Sequence, residues 1–186
     1  WLVEGLKEYK LMGETRDDAA GEAFDKGARI LGLGYPGGPE IEKLSKIGDE
    51  TSIAFPRPLM QNKSLEFSFS GLKTSLLYFL ENNKSFSKQD VAASYQAAII
   101  DVLITKLKWA MDKTDCKTCV IAGGVASNQI LRKFANKTMK SKKVIFPELS
   151  LCTDNAAMIA YLGEIYLQKG ISSPIDFPVL PNMKLV

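Results

Sequence analysis

Three features of the sequence predict an α/β lobe, in which a sheet is covered by helices and carries a helical insertion. The second half alternates strand, helix, strand, helix; Lys88–Asp112 repeats apolar residues at helical spacing; and glycine-rich turns join the elements. A strand–helix alternation implies parallel strands, because each helix carries the chain back across the sheet. The length of 186 residues suits one domain, so 1–186 is expected to form a single lobe. Within it, about 14–112 reads as a mostly helical insertion and 117–170 as a βαβα unit.

Taken in order, Leu2–Leu6 and Tyr9–Gly13 flank a short Lys7–Glu8 link and predict a hairpin. Thr15 and Asp17 are N-cap candidates for a helix over about 17–33, whose apolar stripe runs Ala20, Phe24, Gly27/Ala28 and Leu31. Gly32 to Pro39 breaks that helix, and a second opens at Pro39 and reaches about Ile47. Gly48–Ser64 reads as irregular, Glu66–Ser70 as a strand and Gly71–Glu81 as a helix. The stripe Val91, Tyr95, Ala98/Ile99, Val102, Leu103, Leu107 and Ala110 makes Lys88–Asp112 the clearest helix. Cys119–Ala122 then leads into Ser127–Met139, and Lys143–Phe146 into Asp154–Gln168. After Gly170 the Pro-rich tail is expected to run extended over the surface.

Composition narrows the chemistry. Hydrophobic residues make up 46% and charged residues 24%, ordinary values for a globular chain. No apolar run reaches the roughly 18 residues of a membrane span, and no signal peptide is visible, so an intracellular setting is expected. With no histidine, these residues alone build no His-metal site, Ser-His-Asp triad or Cys-His pair. The net charge of +3 permits a nucleic-acid partner without requiring one. Cys116, Cys119 and Cys152 read as ordinary thiols, because the CxxC precedes a strand and lacks further zinc ligands.

Several motifs admit a functional and a structural reading. Gly34-Tyr35-Pro36-Gly37-Gly38-Pro39 offers bare backbone and a helix N-terminus to a phosphate, or is a tight turn with Pro at the first helical position. Ile121 to Asn128 ends a strand in Gly123-Gly124. That turn suits a purine or phosphate, with Asn128 as a hydrogen-bonding handle, or is a βα turn capped by Ser127. Asp25 and Glu42 flank the first glycine loop as ribose-binding carboxylates, or Asp25 pairs with Arg29 on a solvated face. Asp154 is a helix cap or a metal ligand. Lys133, Lys137, Lys140, Lys142 and Lys143 complement a helix dipole or meet phosphates.

Taken together, Gly13–Lys26, Tyr35–Pro39, Phe67–Thr74 (FSFSGLKT), Ala122–Asn128 (AGGVASN) and Cys152–Ala160 (CTDNAAMIA) resemble the TsaD family in its bacterial form. Five motifs in the family's order, over nearly the whole chain, make the resemblance specific. It implies the duplicated actin/Hsp70/sugar-kinase (ASKHA, ribonuclease H-like) fold, of which this chain would be the C-terminal lobe, with 117–170 as its nucleotide-binding part. It implies transfer of threonylcarbamoyl from threonylcarbamoyl-adenylate to N6 of adenosine 37 in tRNAs reading ANN codons. By motif match, Asp25, Gly38, Glu42, Gly123, Gly124 and Asn128 would bind threonylcarbamoyl-adenylate or ATP/ADP. Asp154 would be a ligand to one divalent metal, iron or zinc.

The family shares that metal with two histidines of an HxxxH motif in an N-terminal lobe that this sequence does not contain, so the chain alone is expected to be inactive. The resemblance also implies TsaB-like and TsaE-like protein partners and a cytoplasmic location, or an organellar matrix or stroma. Competing readings are a nucleotide-binding scaffold of the same superfamily, a partner-binding module, and a metalloprotease. No HExxH supports the last.

Overall fold

A computed structural model describes residues 1–178 of the chain. Its architecture is α/β: six helices and two small two-stranded sheets. Strands β1 (Leu2–Gly5) and β2 (Glu8–Lys10) form the antiparallel hairpin, with Lys7 in the left-handed region at φ 67°. The turn is Leu6–Lys7 rather than Lys7–Glu8, because Glu8 already pairs with Gly5.

Helix α1 is shorter than expected, Ala20–Ile30, and neither Thr15 nor Asp17 caps it. Ala19 holds the N-cap position, and Glu22 accepts from its backbone N–H at 3.4 Å. Asp17 is engaged instead by donors from a distant segment. Its Oδ1 accepts from the N–H groups of Phe69 (2.7 Å) and Ser70 (3.2 Å), and its Oδ2 accepts from the Ser68 hydroxyl. Asp17 therefore starts α3 (Ser70–Asn82), which lies some fifty residues along the chain. The same contact cuts short the expected strand at Glu66–Ser70. Only Phe67 pairs, in a single parallel bridge to Thr15.

Helix α2 spans Gly37–Ser45, two residues earlier than predicted, with Pro36 rather than Pro39 at its entry. It packs closely on α1, and Gly37 makes this possible. A Cβ there would sit 2.6 Å from Asp25 Cα and 2.8 Å from Phe24 O. Helix α4 (Lys88–Thr114) starts at a Ser87 cap and stops where Asp115 turns left-handed. Its first half closes the main core, where Val91, Tyr95, Ile99 and Val102 meet Phe24, Ile41, Leu72 and Leu76. Each such side chain contributes roughly 1.5–3 kcal/mol by leaving water. The Tyr95 hydroxyl, buried, donates to Ala23 O at 3.0 Å.

The second half of α4 serves a smaller core. There Ile104 and Met111 pack with Leu131 and Ala135 of α5 (Gln129–Thr138), with Met139 just past its end and with Cys119 of β3 (Thr118–Val120). Strand β3 pairs in parallel with β4 (Lys143–Ile145), in the register Thr118–Lys143, Cys119–Val144, Val120–Ile145. Between the two cores lies the fully buried Lys106. Its Nζ donates to the carbonyls of Leu59 (2.6 Å), Ser64 (2.9 Å) and Glu66 (2.7 Å), pinning that loop to α4. Burial pushes its pKa down.

The expectation of a sheet covered by helices holds for α4 and α5. It fails for α6 (Ala156–Gln168), which buries none of its residues although it is the most apolar helix. Residues 171–178 form no helix or strand, and the rest of the expected extended tail lies outside the described residues.

Candidate functional site

Between α1, α2 and the turn that leads into α5 lies a cavity of about 350 Å³. Asp25, Gly38, Glu42, Gly124 and Asn128 line it together, although more than a hundred positions separate the first from the last. Gly123 faces the adjoining cavity at the end of β3 instead. Asp154 lines neither, but its neighbour Thr153 closes one side of the first.

Each carboxylate is held by a helix N-terminus that is not its own. Asp25 Oδ1 accepts from Gly37 N–H at 2.7 Å, so α1 caps α2. The alternative pairing with Arg29 does not form. Glu42 Oε1 accepts from Gln129 N–H at 3.3 Å, which ties α2 to the start of α5. One oxygen of each carboxylate stays without a protein partner among the described residues.

The second glycine loop is built from local geometry. Gly123 sits at φ 90°, a conformation that L side chains rarely adopt, and opens the 3₁₀ turn Gly124–Ser127. Ser127 does not cap α5. Its hydroxyl donates to Gly124 O at 2.7 Å and closes the turn. The cap is Asn128, whose Oδ1 accepts from Leu131 N–H at 2.9 Å. Its Nδ2 donates to Gln96 Oε1 at 2.7 Å, Gln96 Nε2 donates to Ser45 Oγ at 2.7 Å, and Ser45 Oγ donates to Glu42 O at 2.8 Å. All three side chains in this relay are buried. It joins α5, α4 and α2 behind the cavity and fixes the spacing of its walls.

The lining combines Phe24, Pro36, Pro39 and Val125 with two carboxylates and no cation. Apolar faces suit a base and carboxylates suit hydroxyl donors, whereas a cavity without cations offers little to a polyphosphate. At Gly38 and Gly124 an added Cβ would meet nothing within 4 Å, so the backbone there is open to the cavity. The lining therefore offers apolar faces, two carboxylate acceptors and bare backbone side by side.

The capping alternative for Asp154 is overturned. Asn155, one residue on, has extended backbone, and its Oδ1 accepts from Met158 N–H at 3.0 Å, so α6 starts at Ala156. Asp154 is left exposed and, among the described residues, its side chain has no hydrogen-bond partner. Its carboxylate chemistry fits one ligand of a divalent metal. Among the described residues no group of three or more His, Cys, Asp or Glu assembles, so a centre of the usual three or four protein ligands would draw the others from elsewhere.

Comparison with known proteins now bears on this geometry. A family model described as "TsaD: tRNA N6-adenosine threonylcarbamoyltransferase" matches residues 1–161. The chain belongs to the TsaD family. A tRNA N6-adenosine threonylcarbamoyltransferase of Thermosipho africanus is 52% identical over 188 residues, covering 99% of this chain and 57% of the relative. Similarly named proteins of Kosmotoga olearia and Geotalea uraniireducens are 50% and 48% identical, covering 100% and 97% of the chain and 56% and 54% of the relatives. The chain thus spans little more than half the length of the TsaD relatives it matches.

Two positioning features lay outside the sequence reading of this TsaD chain. Gln96 was legible only as a polar residue inside the apolar run of α4. Arg132 was passed over among the lysines. Its Nε donates to Ala126 O (2.7 Å), its Nη2 to Pro147 O (2.8 Å) and Cys152 Sγ (3.2 Å), and it stacks over Phe146. One guanidinium therefore stitches the glycine turn to the segment that carries Thr153 and Asp154.

Proposed function

We propose that this chain is the nucleotide-binding C-terminal lobe of a two-lobed tRNA N6-adenosine threonylcarbamoyltransferase with the actin/Hsp70/sugar-kinase architecture. In it, 14–112 would be the helical insertion and 117–170 the nucleotide-binding part. The reaction would be attack by N6 of adenosine 37 on the carbamoyl carbon of threonylcarbamoyl-adenylate. A C–N bond forms, the C–O bond to phosphate breaks, AMP leaves with the electron pair, and one proton is released. This lobe would hold the adenylate, with Asp25 and Glu42 accepting from ribose hydroxyls, the backbone at Gly38 and Gly124 close to the ligand, and Gly123 shaping the turn that presents Gly124. Asn128 would hold the wall from behind, since both ends of its amide are engaged.

Asp154 would supply one ligand to a divalent metal, iron or zinc, whose remaining protein ligands would be histidines of the other lobe. Bound there, the metal would act as a Lewis acid toward the substrate's oxygens. tRNA, TsaB-like and TsaE-like proteins are the proposed partners, and the cytoplasm the proposed setting. Among the described residues no helix is long and apolar enough to cross a membrane.

One observation carries the adenylate role: five residues from three separate segments converge on one cavity that holds two carboxylates and no cation. Gly38→Val tests it by filling that space, because the new side chain points where nothing lies within 4 Å. Calorimetric titration with AMP should show at least a tenfold loss of affinity with little change in melting temperature. Unchanged affinity would place the nucleotide elsewhere.

A further inference from the structure

From the surface of α5 and the loop that follows it, we infer a docking face for the sugar–phosphate backbone of RNA, formed by Lys133, Lys137, Lys140 and Lys143. The inference rests on the tRNA-modifying reading above and says where the substrate lies.

Gln129 to Pro147 holds six basic residues and no acid, whereas the other 167 residues hold eighteen basic and twenty-one acidic ones, a net charge of −3. The chain's positive charge is therefore concentrated in one tenth of its length. Two of the six cations are used internally. Arg132 serves the carbonyls described above, and Lys142 Nζ donates to Cys116 O at 3.0 Å and lies 3.8 Å from Asp112. The other four are exposed, and among the described residues none forms a salt bridge. Asp115, the other acid at the end of α4, is engaged by Lys117.

The composition of the face selects the partner. From Gln129 to Lys143 every exposed residue is Gln, Asn, Ser or Lys, while Leu131, Ala135 and Met139 are turned inward. A protein interface wants an apolar centre, and a membrane surface wants apolar anchors beside its cations. On α5 and the loop after it neither is present; the exposed Ile145 and Val120 lie beyond Lys143, on the sheet. Unpaired ammonium groups with small polar residues between them fit a phosphate backbone, whose counterions they displace. The geometry also connects the face to the cavity. Gln129 starts α5 at the cavity wall, and Lys133 and Lys137 follow on the same helix, roughly 6 and 12 Å further along its axis. One RNA could lie along α5 and present a base at the cavity.

The test uses the 186-residue chain and its K133Q/K137Q/K140Q/K143Q variant, each titrated with an unmodified tRNA that reads an ANN codon over a range of salt concentrations. If each lysine neutralises one phosphate, the slope of log K against log salt should shrink by about 3 in the variant. AMP affinity and melting temperature should stay unchanged, because the four side chains touch neither core nor cavity. An unchanged slope overturns the docking face and leaves the proposed function standing. Failure of the unaltered chain to bind tRNA at any salt counts against tRNA recognition by this lobe. Equal, lysine-dependent binding of poly-glutamate would assign the face to an acidic protein and overturn the RNA assignment.

Discussion

Helices α4 and α6 both carry long apolar stretches, and only one of them is buried. In α4, all but one residue of Val91–Ile100 is buried, and the segment packs chiefly against α2. In α6, Ile159 is 65% exposed, Tyr161 68% and Leu167 71%. The contrast extends to the regions that hold them. The helical body, 14–114, has a continuous core and takes two helix caps from distant residues, Asp25 for α2 and Asp17 for α3. The βαβα region, 117–170, has a smaller core and caps its helices locally, through Asn128 and Asn155. Apolar composition says that a helix face needs cover. Whether cover exists is a property of the surroundings.

Truncation of the two apolar faces should break the comparison open most widely. Ile99→Ala leaves a cavity at a fully buried site and should cost about 2–5 kcal/mol in chemical denaturation. Ile159→Ala removes the same atoms from the uncovered face and should stay within about 0.5 kcal/mol. Equal costs would mean that α6 is buried in this chain in solution.

The long-range caps come next in size. Asp17→Ala removes the acceptor for three backbone N–H groups, two of them at the start of α3, and a hydroxyl, and should cost about 1–2 kcal/mol at neutral pH. Burial alone would raise the Asp17 pKa. The hydrogen bonds from Ser68 and from the N–H groups of Phe69, Ser70 and Asp18 outweigh it, and the net shift is downward. A lowered carboxylate pKa stabilises the fold fully above the unfolded value of roughly 4, and the gain is lost as pH falls through the folded value. The difference between Asp17→Ala and the unaltered chain should therefore narrow below about pH 4. A gap that stays constant down to pH 2 would show that the carboxylate charge has no part in the cap.

The local caps give the smallest effects and the finest distinction. Asn155→Ala should cost about 0.5–1 kcal/mol, whereas Asp154→Asn should leave the melting temperature unchanged, since the Asp154 side chain makes no hydrogen bond among the described residues. The reverse order would return the cap to Asp154 and weaken its assignment as a metal ligand.

How much was legible follows from which interactions are local. The helix at 88–112, the strand–helix alternation after 117 and the two glycine turns could be read directly, because helical spacing and backbone freedom act over a few residues. Asp25, Gly38, Glu42, Gly124 and Asn128 were named by resemblance, and the fold brings them to one cavity. Gln96 and Ser45 were missed because a buried hydrogen-bond relay leaves no periodic signal in the sequence, and Arg132 because nothing local sets it apart from the lysines around it.

What the sequence determined by itself is the element order, the apolar stripe of α4, the acid-free stretch after Gln129 and the absence of histidine. Only the tertiary structure decided which oxygen caps which helix. Ser, Thr, Asp and Asn cap with nearly equal strength, so a preference of a few tenths of a kcal/mol within one segment yields to any good contact from another. Asp17 went to α3 for that reason. Asn155 displaced Asp154 by sitting one residue closer to the first turn of α6, and among the described residues α6 stays largely uncovered, with Lys7 of the hairpin turn over its Tyr166 ring.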